Sequence, residues 1–260
     1  MSKEEKKEIK ESFILGNGKS LKDFNFDFLK DKKTIGTCLA FRHWEKIDWY
    51  PTYYVNVDYK VLKSNLESIK NMIINKKCEV FLLDAQIIQD WEDILQYSNV
   101  MFIQQLKLSE NNPFRYLVDW CSGSSAVLFA YILGFTKLNL LGMDCKYLEF
   151  LPECEKQEDG SLKIVKEIKE NPNYYFNDYQ RVGDIYNPPN AQTIHKKSWE
   201  DLRNILVMYN VLTQESVELW NYNSNDTLDH CFKRKDLKEL EDFEIVEEIP
   251  TEDEKTKVGR

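Results

Sequence analysis

Apolar positions fall in short runs along the chain, and the spacing inside the runs alternates between two periods. Phe13-Ile14-Leu15 is an apolar run that stops at Gly16-Asn17-Gly18, with Lys19, Ser20 and Leu21 following. Lys33 to Phe41 and Thr52 to Tyr59 are rich in β-branched and aromatic residues and predict a second and a third strand. Arg42-His43-Trp44-Glu45-Lys46 between them reads as a polar connection. From Val61 to Ile74 the apolar residues Leu62, Leu66, Ile69 and Ile73 keep helical spacing, which predicts an amphipathic helix. Glu79 to Leu83 predicts a short strand, Ile88 to Leu95 a helix, and Val100 to Leu106 another strand. Such alternation predicts a parallel sheet with helices on both faces.

Beyond the irregular stretch Asn111 to Cys121, Ser122-Gly123-Ser124-Ser125 opens the apolar run Ala126 to Leu133. Ser122 or Ser124 is a natural N-cap for a helix there. Lys137 to Leu141 predicts a strand that ends in Gly142-Met143-Asp144. Cys145 to Pro189 is different: long, polar, rich in tyrosine and weakly periodic, the composition of a lid. Ser198 to Tyr209 predicts a helix and Val217 to Trp220 a last strand, followed by a polar excursion from Asn221 to Lys238. The expected organisation is one α/β domain over residues 1–240, with a lid at about 145–190 and a polar tail, 241–260, expected to be disordered.

The 260 residues are 42% hydrophobic and 30% charged, as in an ordinary soluble domain. A net charge of −9 argues against nucleic acid and anionic membrane as partners. Met1 to Glu11 is charged and has no apolar core of signal-peptide length, and no apolar stretch is long enough to span a bilayer. The six cysteines show no C-x-x-C spacing, so neither a disulfide framework nor a zinc site is expected, and a cytoplasmic location is.

Candidate chemistry begins at Gly16-Asn17-Gly18. Two glycines one residue apart let a ligand approach the main chain, and exposed N–H groups in such a turn cradle anions. A plain tight turn is the competing reading. The small-residue helix entrance at Ser122 and Gly123 offers free N–H groups and a positive dipole end. Asp144, just past a strand, is placed to bond a ribose or base, or else to cap a turn. His43 and His230 have no partner at metal-ligand spacing and read as solvated.

Taken in order, Gly16-Asn17-Gly18-x-Ser20-Leu21, Ser122-Gly123, Leu133-Gly134-Phe135, Leu141-Gly142-Met143-Asp144 and His195 resemble bacterial sialyltransferases of glycosyltransferase family 42. The wider group takes in motility-accessory-factor and hydroxymethylpterin pyrophosphokinase relatives. The resemblance runs from Phe13 to about Leu237. It implies a Rossmann-like domain of the glycosyltransferase-A variant, with a lid over a CMP-sialic acid or related CMP-sugar donor. By the same resemblance Gly16, Asn17, Gly18 and Ser20 would meet the donor phosphate and ribose, and Ser122 and Gly123 the nucleotide. Asp144 would lie near cytidine, Asn56 near the donor or leaving group, and His195 would be the base. Tyr147, Tyr174 and Tyr175 are candidates for the tyrosines that steady the leaving phosphate. Leu39 or a close neighbour stands where the family has an asparagine, Asp119 or Trp120 where it has an arginine, and the basic membrane-associating C-terminus is missing.

The implied partners are a nucleotide-sugar donor and a glycan or other hydroxyl acceptor, with at most peripheral membrane contact; a homo-oligomer is left open. No cofactor and no metal are expected, since no Asp-x-Asp closes a strand. Two alternatives stay open. One is a magnesium-dependent diphosphokinase using Asp58, Asp84 and Asp144; the other is a non-catalytic nucleotide-binding protein, which Leu39 and Asp119 favour.

Overall fold

The alternating runs resolve into two sheets. The computed structural model describes residues 10–109, 112–118, 120–188, 195–213 and 217–242. In chain order the strands are β1 (Glu11–Leu15), β2 (Thr34–Thr37), β3 (Tyr53–Asn56), β4 (Val80–Leu83), β5 (Val100–Phe102), β6 (Lys137–Leu141), β7 (Cys154–Lys156), β8 (Leu162–Ile164), β9 (Ile185–Tyr186), β10 (Glu218–Asn221) and β11 (Lys233–Arg234). Eight of them form one sheet in the order β11-β10-β6-β1-β2-β3-β4-β5. Every pairing in it is parallel.

The helices are α1 (Phe41–Trp44), α2 (Tyr59–Ser64), α3 (Leu66–Ile74), α4 (Ile103–Leu108), α5 (Ser122–Ile132), α6 (Lys196–Thr213) and α7 (Lys238–Asp242). Successive side chains on a strand point to opposite faces, so each central strand feeds two cores. Phe13, Leu15, Tyr54, Phe81 and Leu83 pack on one face with α1, α2 and α3. Ile14, Ile35, Val55, Leu82, Leu138 and Leu140 pack on the other against α5 and α6. The fold is thus the expected α/β sheet covered on both faces. Among the described residues no helix is long and apolar enough to cross a membrane.

Several elements differ from the expectation. The second strand stops at Thr37, because Cys38 takes a left-handed backbone angle, φ +55°, and turns the chain into a 3₁₀ turn and then α1. Arg42 and Trp44 are consequently buried and are no part of a polar connection. The Trp44 ring occupies the place a side chain at Gly36 would fill, 2.2 Å from a Cβ built there. The helix expected over Val61 to Ile74 is two helices broken at Asn65. Ile88 to Leu95 lies in two 3₁₀ turns, Ala85–Gln89 and Glu92–Gln96. The strand at Val100 ends at Phe102, and the apolar residues after it belong to α4. The polar excursion contains the edge strand β11. Helix α5 is capped by Cys121 and not by Ser122 or Ser124; the Cys121 N–H donates to Ser124 Oγ at 3.2 Å.

The lid carries more structure than its weak periodicity suggests. Strands β7, β8 and β9 form a three-stranded sheet, antiparallel throughout. Its residues Leu162, Ile164 and Tyr186, together with Ile168 and Tyr179, join the core on the α1–α3 face. Local sequence under-reports this sheet because strands of two or three residues carry too few positions to show a period. Residues 243–260 and Asp119 lie outside the described residues, and so does the tail expectation except at 241–242, which are the end of α7 and not disordered.

Candidate active site

Strands β1, β2, β3 and β6 end around one cavity of about 360 Å³, at the sheet edge where open α/β folds bind ligands. Gly16, Asn17, Ser122, Gly123, Tyr174 and His195 all line it. Of the other candidates from sequence, Gly18, Ser20, Asn56, Asp144 and Tyr175 do not.

The reason lies in how the first loop is tied down. Gly16 N–H donates to the Leu141 carbonyl at 2.7 Å and Gly18 N–H to the Gly142 carbonyl at 2.8 Å. These N–H groups bind the end of β6, so they form no anion cradle. A Cβ on Gly16 would lie 2.3 Å from the Gly142 oxygen, and one on Gly18 2.3 Å from Asp144 Cγ. Both glycines serve the close approach of two strand ends. Ser20 donates its N–H to Asp144 Oδ2 at 2.9 Å and its hydroxyl to Asp144 Oδ1. The structure thus shows Asp144 in the capping role that the sequence offered as its alternative. Asn56 is fully buried: Nδ2 donates to Tyr54 OH at 3.1 Å and Oδ1 accepts from Asp58 N–H at 3.2 Å.

Asn17 keeps its place in the cavity. Its Nδ2 donates to Thr37 O at 3.2 Å and points at Thr37 Oγ1 and Tyr179 OH, at 3.3 and 3.1 Å. Its Oδ1 is buried and has no partner among the described residues. An acceptor in that position can take a hydroxyl or amine hydrogen, which an ionised phosphate oxygen does not supply. Ser122 Oγ accepts from Val57 N–H at 3.2 Å, which joins the entrance of α5 to the end of β3.

The lid docks directly on this loop. Tyr174 bridges Gly18, and Tyr175 N–H donates to the Asn17 carbonyl at 3.2 Å. The Tyr174 ring stacks on Tyr179 with centroids 3.7 Å apart. Tyr175 turns away from the cavity and packs on His43 and Phe26; His43, read as solvated, is half-buried there. Tyr147 lines the cavity, edge-on to His195 at 5.7 Å. Burial raises the pKa of Tyr147, Tyr174 and Tyr179, which keeps their hydroxyls protonated.

His195 stands immediately before α6, and burial lowers its pKa. The neutral imidazole is favoured there. Cys38, Asp58, Tyr179 and Asp184 line the cavity as well and were not among the donor contacts expected from the sequence. Asp58 had a local signal, an acidic residue capping the helix after a strand. Its Oδ1 accepts from Lys60 N–H, Val61 N–H and Asn187 Nδ2, and burial raises its pKa. Cys38 had no such signal; burial pushes its thiol up to about 12.

The carboxylates considered for magnesium do separate jobs. Asp58 caps α2, Asp144 holds Ser20, and Asp84 accepts from Gln86 N–H and Gln104 Nε2 at 2.8 and 2.9 Å. Among the described residues no group of three or more His, Cys, Asp or Glu is placed to hold a metal ion. No lysine or arginine lines the cavity among the described residues.

The fold and site define a class: an open parallel α/β domain with the segment 145–188 packed over the carboxyl ends of its strands. No family model and no curated relative matches the sequence. Solved structures do match. The sialyltransferase CstII from Campylobacter jejuni, in complex with the substrate analogue CMP-3FNeuAc, aligns over 87% of this chain and 86% of that chain. The TM-score is 0.51 at 14% identity. CstII in complex with a trisaccharide acceptor and CMP aligns over 86% of both chains with a TM-score of 0.50 at 14% identity. The MAf glycosyltransferase from Magnetospirillum magneticum AMB-1 aligns over 82% of this chain and 31% of that one, with a TM-score of 0.43 at 14% identity. The chain shares the fold of the CstII sialyltransferases.

Proposed function

We propose that the chain is a glycosyltransferase that moves a sugar from a CMP-activated donor, CMP-sialic acid or a related CMP-sugar, to a glycan hydroxyl. His195 is its base, no metal takes part, and it works in the cytoplasm. The observation that carries this reading is the placement of His195 in the wall of a cavity that also holds Asn17, the entrance of α5 and the lid tyrosines. The shared fold of enzymes whose structures hold CMP and a trisaccharide acceptor supports it.

In this reading the acceptor hydroxyl gives its proton to the neutral His195 as its oxygen bonds the anomeric carbon. The bond from that carbon to the phosphate oxygen breaks, and CMP leaves with the electron pair. Protonated hydroxyls on Tyr147, Tyr174 and Tyr179, together with the first N–H groups of α5, are the donors available to the leaving monophosphate. The orphan oxygen of Asn17 takes a ribose hydroxyl or a base amine.

A thermal-shift series with CMP, UDP, GDP, ADP and CMP-sialic acid, with and without magnesium, tests the reading. A ligand at a hundred times its dissociation constant stabilises the fold by about 2.7 kcal/mol. CMP and CMP-sialic acid are expected to do so without magnesium, and CMP-sialic acid is expected to release CMP in the presence of glycan acceptors. Stabilisation by ADP alone, with magnesium, overturns it in favour of a diphosphokinase. Leu39, an apolar residue lining the cavity, favours a second reading, nucleotide binding without transfer. CMP binding with no release of CMP from the sugar nucleotide would establish that one.

A further inference from the structure

Arg42 is only 5% exposed and does not line the cavity. Its guanidinium meets Asp184 as a fork, NH1 to Oδ2 at 2.6 Å and NH2 to Oδ1 at 2.9 Å. NH1 also donates to the Tyr179 carbonyl at 2.7 Å, and NH2 to Asn65 Oδ1 at 2.5 Å. One side chain on α1 thereby holds both ends of the lid segment Tyr179 to Asp184 and the break between α2 and α3.

A buried ion pair contributes little net stability over a well-packed apolar pair of the same shape, because both charges lose their water. What the fork does supply is direction: a planar guanidinium fixes its partners in one plane at fixed distances. The residue it fixes here reaches the site. Tyr179 OH accepts from Leu39 N–H at 3.4 Å and from Asn17 Nδ2 at 3.1 Å, and its ring stacks on Tyr174. With Nδ2 held on that side, Oδ1 is the atom of Asn17 left without a partner among the described residues.

We propose that Arg42 is a positioning residue: by clamping Tyr179 and Asp184 it sets the Tyr179 ring and hydroxyl, and through them the amide of Asn17, for binding the nucleotide donor. This rests on the reading that such a donor occupies the cavity.

The test is a double-mutant cycle on Arg42→Lys and Tyr179→Phe, read by CMP affinity in calorimetry. Lysine keeps the charge and can pair with Asp184, but it cannot hold Asp184, Tyr179 and Asn65 together. Arg42→Lys is expected to weaken CMP binding about tenfold, roughly the loss of one charge-assisted hydrogen bond. Tyr179→Phe should weaken it severalfold, and the double variant should bind no worse than Arg42→Lys alone. Independent, additive losses would mean that Arg42 does not act through Tyr179, and would overturn the proposal. A second measurement needs no ligand: hydrogen exchange of the Tyr174–Tyr186 amides should quicken in Arg42→Lys, and unchanged exchange would also overturn it. If the wild type binds none of the nucleotides while exchange still quickens there, the clamp stands and the proposed function falls.

Discussion

Ser20 gives both its main-chain N–H, at 2.9 Å, and its hydroxyl to the two oxygens of Asp144. Two residues 124 positions apart thus tie the first loop to the end of β6. The link consumes two polar groups that the sequence offered to a ligand, and it explains Gly18, whose missing Cβ leaves room for the carboxylate.

Asp144→Ala is expected to cost about 1.5–3 kcal/mol of stability, the range for hydrogen bonds to a charged group. Gly18→Val should lower the melting temperature as well, because its Cβ cannot enter without moving Asp144. The substitution is therefore a lesion of the loop and not a local block on the ligand. Denaturation curves matching the wild type for both variants would show that the link does not form in solution.

For His195, burial lowers the pKa, so the imidazole stays neutral to lower pH than a free one, whose value is about 6.5. The acid limb of the transfer rate is expected below that value, and His195→Ala should lose about 10²–10⁴ in rate. The sign for stability follows from the same shift. Below about 6.5 the unfolded chain takes up the proton first, so this residue makes the fold less stable as the pH falls. A pH–rate profile for His195→Ala with the wild-type rate and acid limb would remove it from the reaction.

Arg42→Ala leaves the Asp184 carboxylate buried without its cation. The expected loss is about 3–5 kcal/mol, measured by chemical denaturation. A loss within the range of a surface substitution, about 0.5 kcal/mol, would show that water reaches the pair.

Cys38 is expected to resist alkylation, because its thiol is pushed up to about 12 and the thiolate is the reactive form. Iodoacetamide at pH 8, followed by mass spectrometry, should leave Cys38 unmodified in the folded protein and label it after denaturation. Rapid labelling of the folded chain would place the thiol in contact with solvent.

Periodicity alone determined the parallel sheet, since runs such as Phe13-Ile14-Leu15 carry two buried faces in three residues. The positions of the loop at Gly16 and the helix at Ser122 were legible for the same reason, local spacing and capping chemistry, whereas His195 stood out only through the family resemblance. What local spacing cannot carry is the choice of partner. Whether Asp144 faces a ligand or Ser20, and whether Tyr175 or Tyr179 enters the cavity, depends on which distant segments the chain brings together. The one-residue alternation at Tyr174-Tyr175 turns one ring into the cavity and the other onto His43. Arg42, in a stretch that reads as polar, is buried because its charge finds Asp184 142 residues further along. Only the tertiary structure decided these pairings, because a buried charge or amide is stable only where its partner already stands.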